Sequence, residues 1–196
     1  MNVQFTGFGM VFAAYFFGAV PFGLLFSKQI EGIDPRKRGS GNIGATNVLR
    51  TVGKKAAVLT LVCDILKGGI PIALSRAIGI GERTLLIVSL AVVLGHIFPV
   101  YLRFKGGKGV ATAFGMFLVL SPQIAAVASF FWLVGLLLSK YAAVAALVAF
   151  GALPFVSAYF TSEPGFILLA SSVSLLVCFR HKDNVRRLLD GTEKEV

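Results

Sequence analysis

The sequence predicts an all-α, polytopic integral membrane protein of about seven transmembrane helices. Three observations carry this expectation. Of 196 residues, 56% are hydrophobic and only 14% are charged, against about 45–50% and 25% in a soluble domain. The apolar residues are gathered in long runs, three of them close to the roughly 20 residues that a helix needs to cross a bilayer. No polar stretch is long enough for a separate soluble core, so residues 1–196 read as one membrane-embedded domain.

The first three runs predict helices over 4–26, 56–79 and 84–102. Residues 110–120 are apolar but short. Three further segments, 123–138, 142–160 and 165–179, are set off by the turn-like breaks Ser121-Pro122, Ser139-Lys140 and Ser162-Glu163-Pro164. No basic residue precedes Lys28, so the first segment reads as a retained helix rather than a cleaved leader.

Sidedness follows from the basic residues. With residue 1 outside and seven crossings, 16 of the 19 Lys and Arg fall in inner loops or in a cytoplasmic C-terminal tail, leaving Lys67, Arg76 and Arg83. Five crossings would also place the tail inside, but seven account for the Ser-Pro and Ser-Lys breaks more simply. The net charge of +10 therefore reports topology and attraction to anionic lipid or phosphate. Nucleic acid is excluded as a partner, because the chain has no basic amphipathic helix, zinc module or RNA-binding signature. Cys63 and Cys178 lie in different apolar segments without metal-ligand spacing, so they read as inert and no metal site is expected.

Three polar islands carry the chemistry. The first runs from Arg38 to Arg50 and holds Ser40, Gly41, Asn42, Thr46 and Asn47. Ser40 or Asn42 is expected to cap a short helix running toward Gly53. Free N–H groups at such a helix start suit an anion, and Arg50, about two turns in, has the reach to clamp phosphate. Gly39-x-Gly41-x-x-Gly44 matches a dinucleotide fingerprint only formally, since no strand precedes it. The second island, Lys105-Gly106-Gly107-Lys108-Gly109, is expected to form a nest of N–H groups around phosphate oxygens. It is not a nucleotide-hydrolysing loop: Leu102 stands where that pattern needs glycine, and Gly109 where it needs Ser or Thr.

The third island begins as the last helix ends. If helical geometry continues, His181 and Asn184 share a face at i, i+3, pairing a proton acceptor with an orienting amide. Gly191-Thr192-Glu193 is expected to cap this tail, with Glu193 pairing one of its arginines. Asp64 and Lys67, also at i, i+3, sit inside a membrane helix, where charge is expensive and marks function. They read as a mutual ion pair lining a polar cleft, with Lys67 turned to the phosphate site. His96, just before Pro99, is expected to hydrogen-bond a neighbouring helix.

With these residues in view, the chain resembles the bacterial acyl-phosphate glycerol-3-phosphate acyltransferase family (the PlsY type). The Ser-Gly-Asn-x-Gly-x-Thr-Asn-x-x-Arg pattern is matched from Ser40 to Arg50. Gly-His-x-x-Pro followed by Phe-Lys-Gly-Gly-Lys-Gly-Val-Ala-Thr is matched from Gly95 to Thr112, and Arg-His-x-x-Asn from Arg180 to Asn184. The resemblance covers the whole chain. It implies a seven-helix enzyme of the bacterial cytoplasmic (inner) membrane, with its active site on the cytoplasmic side. It implies acyl transfer from acyl phosphate to the sn-1 hydroxyl of glycerol-3-phosphate, giving lysophosphatidic acid and phosphate, the entry step of phospholipid synthesis. It also implies transient contact with the soluble enzyme that makes acyl phosphate. The His-x4-Asp motif of other glycerol-phosphate acyltransferases is absent, since Tyr101 and Arg186 stand five residues after the two histidines.

The residues fit that chemistry. Both substrates carry phosphate, and two loops suited to anions are present. Acyl phosphate is already activated, so no cofactor is expected. The resemblance assigns Lys105 to Gly109 to glycerol-3-phosphate. Ser40, Gly41, Asn42, Thr46, Asn47, Arg50 and Lys67 are expected at the phosphates more generally. His181 is expected to act as general base or to orient the hydroxyl, with Asn184 assisting, and a substrate phosphate oxygen is the alternative proton acceptor.

Overall fold

The computed structural model describes residues 3–196, with side chains from Thr6 onward, and contains only helices and their connections among the described residues. The chain divides into two compact units, Met1–Val119 and Leu120–Val196.

In the first unit, α1 (Val3–Gly18) and α2 (Phe22–Glu31) occupy the first apolar run. The expected continuous helix is broken at residues 19–21. Proline has no N–H and disfavours helical backbone at the residue before it, so Pro21 ends the ladder. The Val20 carbonyl at this break accepts Lys67 Nζ at 2.9 Å. Beyond α2, Asp34 caps a single 3-10 turn (Pro35–Lys37) by accepting from Arg36 N–H at 3.0 Å. Then come α3 (Ala45–Thr51), α4 (Lys54–Ala77), α5 (Glu82–Ile97) and α6 (Val110–Leu120). The third run also ends early: α5 stops at Ile97, and a 3-10 turn takes up Val100–Leu102.

Helices α1 and α5 meet backbone to backbone. A Cβ at Gly18 would strike the Val92 carbonyl, and one at Gly95 the Tyr15 carbonyl. Small residues at a crossing allow this approach between membrane helices, where dispersion rather than water release drives association. The Tyr15 hydroxyl donates to Phe98 O at 2.7 Å, which ties α1 to the end of α5. Buried Val48, Ala56 and Ala57, with Phe26, Ile30 and Val52 against them, seat α3 on α2 and α4.

The second unit holds α7 (Pro122–Ser139), α8 (Ala142–Phe160), α9 (Pro164–Arg180) and α10 (Lys182–Leu189). The α7–α8 turn is made by Lys140 in the left-handed region (φ 63), whose N–H returns to Leu136 O at 2.7 Å. A buried Ser174 hydroxyl donates to Phe150 O at 2.6 Å and joins α9 to α8.

Large apolar side chains such as Phe12, Leu138, Phe155 and Leu175 face outward. In water such a surface would be unsustainable, whereas lipid is the solvent it matches, and helices satisfy their own backbone there. Among the described residues, five helical segments are long and apolar enough to cross a membrane, or six if α9 and α10, bent by 49°, count as one. With 11 residues, α6 is only about 16 Å long, well short of the roughly 30 Å hydrocarbon core.

Candidate active site

Loop one is built around one side chain. Asn47 is 3% exposed. Its amide nitrogen donates to Pro35 O (3.0 Å), Arg38 O (3.2 Å) and Asn42 O (2.8 Å), and its oxygen accepts Ser40 N–H (2.9 Å). Asn47, expected at phosphate, in this structure uses both polar atoms of its side chain to shape the loop. Gly39 (φ 59) belongs to the same arrangement, because a Cβ there would collide with Asn47 Oδ1.

The expected cap is corrected. Gly44, not Ser40 or Asn42, starts α3, while Asn42 Oδ1 accepts Gly44 N–H at 2.7 Å and so folds the turn that leads into it. Ser40 and Gly41 remain exposed at the surface, Asn42, Thr46 and Arg50 are half-buried, and Arg50 lies in the last turn of α3. Nearby, hydrogen bonding to Arg36 holds the Asp34 carboxyl at about 2, below its ordinary 3.8.

The first three N–H groups of the glycine loop, expected to form part of a nest, are folded inward. Gly106 N–H donates to Ile97 O (3.2 Å), Gly107 N–H to His96 O (3.1 Å) and Lys105 N–H to Leu102 O (3.1 Å). The Gly106 and Gly107 donors complete the end of α5, and that of Lys105 closes the 3-10 turn before the loop. Two non-glycine residues just before the loop, Arg103 (φ 51) and Phe104 (φ 62), adopt left-handed backbone, a conformation disfavoured for side-chain-bearing residues and concentrated at functional sites. The loop's exposed cation is Lys105, Lys108 is half-buried, and the chain enters α6 directly after Gly109.

Loop one lies against α2 and α4, whereas the glycine loop is seated on the end of α5, whose His96 in turn faces α4. A Cβ at Gly23 would strike the Ile43 carbonyl and approach Thr60 Cγ2, so loop one sits at the level of Thr60. One turn further along α4, Asp64 Oδ1 is 3.7 Å from His96 Nδ1, at the base of the glycine loop.

The Asp64–Lys67 ion pair forms as expected, at 2.7 Å. Lys67 is 1% exposed, donates to Val20 O and lies 5.6 Å from the centre of the Phe22 ring. Its ammonium, expected to turn toward a phosphate site, here faces a carboxylate, a carbonyl and an aromatic ring.

In the second unit, His181 stands at the bend between α9 and α10, so helical geometry does not run on unbroken. His181 and Asn184 are nonetheless both buried. His181 Nδ1 is 2.8 Å from Val177 O. A carbonyl only accepts, so Nδ1 carries a proton, and in the neutral ring Nε2 is left as the acceptor. Asn184 donates to Glu193 Oε1 at 2.8 Å, and Arg187 Nε to Glu193 Oε2 at 2.6 Å. Glu193 does pair an arginine as expected, and it also grips Asn184, which the sequence pattern did not signal.

Fold and clusters together define an all-helical integral membrane protein whose first unit carries two glycine-containing, cationic loops. Residues 8–191 match the family model described as glycerol-3-phosphate acyltransferase. The chain is 46% identical over 182 residues to a "Glycerol-3-phosphate acyltransferase" from Pseudomonas syringae pv. tomato, covering 92% of this chain and 93% of the relative. It is 45% identical over 183 residues to the protein of the same name from Methylobacillus flagellatus, covering 93% of each. Among solved structures it is similar to the crystal structure of PlsY (YgiH), "an integral membrane glycerol 3-phosphate acyltransferase", in its glycerol 3-phosphate form. The TM-score is 0.92 at 38% identity, covering 97% of this chain and 96% of that one. The lysophosphatidic acid form of PlsY gives a TM-score of 0.89 at 37% identity. The chain belongs to the glycerol-3-phosphate acyltransferase family.

Proposed function

We propose that this protein transfers a fatty acyl group from acyl phosphate to the sn-1 hydroxyl of glycerol-3-phosphate, forming lysophosphatidic acid and inorganic phosphate. The observation that carries this is family membership along nearly the whole chain, with close structural likeness to PlsY in a glycerol 3-phosphate form and a lysophosphatidic acid form. The presence of two cationic loops, one lying against α2 and α4 and one on the end of α5, supports two phosphate-bearing substrates.

In this reading Ser40, Gly41, Asn42, Thr46 and Arg50 hold phosphate at loop one. Lys105, Lys108 and the start of α6 after Gly109 hold the phosphate of glycerol-3-phosphate. The substrate hydroxyl attacks the acyl carbonyl carbon, and the carbon–oxygen bond to phosphate breaks with its electron pair leaving on phosphate. His181 Nε2 takes the hydroxyl proton and returns it to the departing phosphate, while Asn184 orients the hydroxyl. The cationic side chains stabilise charge that grows on the leaving group, which lowers the barrier because they are in place before reaction.

The topology of this reading has seven crossings, the N-terminus outside, and the inner loops and tail in the cytoplasm of a bacterium, as the distribution of Lys and Arg supports. Acyl phosphate then arrives from the soluble enzyme that makes it.

Detergent-purified protein tests the activity. Phosphate release is expected only with both substrates present, together with lysophosphatidic acid; a folded preparation that turns over neither overturns the proposal. For sidedness, cysteines introduced at Ser40, Lys105 or Lys182 should resist a membrane-impermeant reagent added from the periplasm.

A further inference from the structure

Inside the first unit, a line of buried contacts runs from the break in the first span to the glycine loop. Val20 O takes Lys67 Nζ at 2.9 Å, and Lys67 meets Asp64 Oδ1 at 2.7 Å. The same carboxylate oxygen lies 3.7 Å from His96 Nδ1. His96 then holds the loop twice: its carbonyl accepts Gly107 N–H at 3.1 Å, and its ring fills the space where a Cβ of Gly107 would stand, against Nε2. Asp64, Lys67 and His96 are 3%, 1% and 4% exposed.

From this geometry we propose that Asp64, Lys67 and His96 are positioning residues that set the glycine loop in the shape that receives glycerol-3-phosphate, without touching substrate. The proposal rests on the reading of the loop given above. Charged groups in a membrane interior are expensive and are retained for function. A buried ion pair is seldom the most stabilising use of its volume, and its value then lies in fixing one geometry. Here the geometry fixed is that of His96. Asp64 stands beside the ring at 3.7 Å, an electrostatic approach rather than a hydrogen bond, and the ring abuts Gly107 directly. Lys67 balances the carboxylate and anchors it to the Val20 carbonyl at the break, which also accepts Phe22 N–H. The loop's glycines follow from the same contact: any side chain at Gly106 or Gly107 would collide with His96, Pro99 or the Ile97 carbonyl.

The test uses the full chain in detergent. Replacing only one partner strands a buried charge, so the main variant is the neutral double substitution Asp64→Asn/Lys67→Gln, with His96→Gln as the second. Amide hydrogen exchange reads the loop without substrate. Peptides covering residues 104–109 should exchange about ten-fold faster in both variants, as a locally opened segment does, while peptides covering 183–193 stay unchanged. Unchanged exchange in the loop overturns the proposal. Kinetics read the consequence: KM for glycerol-3-phosphate should rise about ten-fold with KM for acyl phosphate and kcat within about two-fold, the pattern of weakened binding of one substrate. A folded variant with lower thermal stability but an unchanged glycerol-3-phosphate KM makes the three residues a structural staple and overturns the proposal. A wild-type protein without turnover would instead defeat the acyltransferase reading, and the exchange measurement would still decide whether these residues set the loop.

Discussion

Asn184 and Glu193 are joined by a 2.8 Å hydrogen bond, with the other oxygen of the same carboxylate on Arg187 at 2.6 Å. The chain reaches Glu193 by reversing at Gly191 (φ 65), and the N–H groups of Thr192 and Glu193 both return to Arg187 O. One tail residue thus fixes the amide proposed to orient the substrate hydroxyl.

Glu193→Ala should therefore lower kcat and also destabilise the tail. A buried donor left without its acceptor costs about 1–3 kcal/mol. Thermal unfolding in detergent, read beside turnover, checks both. Glu193→Gln should recover part of the stability, since it can still accept from Asn184.

His181→Ala should lower kcat by about 10²–10⁴-fold, the usual worth of a positioned general base, with little change in either KM. If only KM rises, His181 binds substrate and a phosphate oxygen takes the proton.

Gly107→Ala should chiefly raise KM for glycerol-3-phosphate. The new methyl meets the His96 ring, so the loop must shift as a body. An unchanged KM would refute the placement of that substrate at residues 105–109.

Asn47→Ala and Ser40→Ala separate scaffold from surface. Removing Asn47 takes its partner from Asn42 O and from the Ser40 N–H, while Pro35 O and Arg38 O keep the N–H groups of Arg38 and Gly41, a loss of about 1–3 kcal/mol. The exposed Ser40 hydroxyl makes no such contribution to the loop, so Ser40→Ala should leave the melting temperature unchanged and alter kinetics alone.

Acid should release the turn after α2. The Asp34 carboxyl is held at about 2, below its ordinary 3.8. A depressed carboxylate adds stability that is complete above the unfolded value and lost as pH falls through the folded one. Its contribution should therefore persist at neutral pH and disappear between about pH 4 and 2. A carboxyl-labelled NMR titration checks this. Arg36→Ala should return the midpoint toward 3.8, because the Arg36 hydrogen bond is the main cause.

The helices were legible because each apolar run must hide its backbone in lipid, and only helices do so within one segment. The break at residues 19–21 was written in Pro21, yet run length outweighed it in the reading. The Ser40–Arg50 and Lys105–Gly109 islands stood out as polar residues in an apolar chain. Their inner workings did not, because a glycine that yields space to a neighbour looks the same in sequence as one that faces a ligand.

Composition and local pattern by themselves determined the helical membrane class, the three polar islands and the Asp64–Lys67 pair, since each depends on residues within a few positions of one another. Only the tertiary structure decided that Asn47 is the loop's internal post, that Lys67 turns to Val20, and that His96 stands between Asp64 and Gly107. Those relationships join residues far apart along the chain. They exist because α4 and α5 pack closely enough for a buried carboxylate to approach a ring on the next helix.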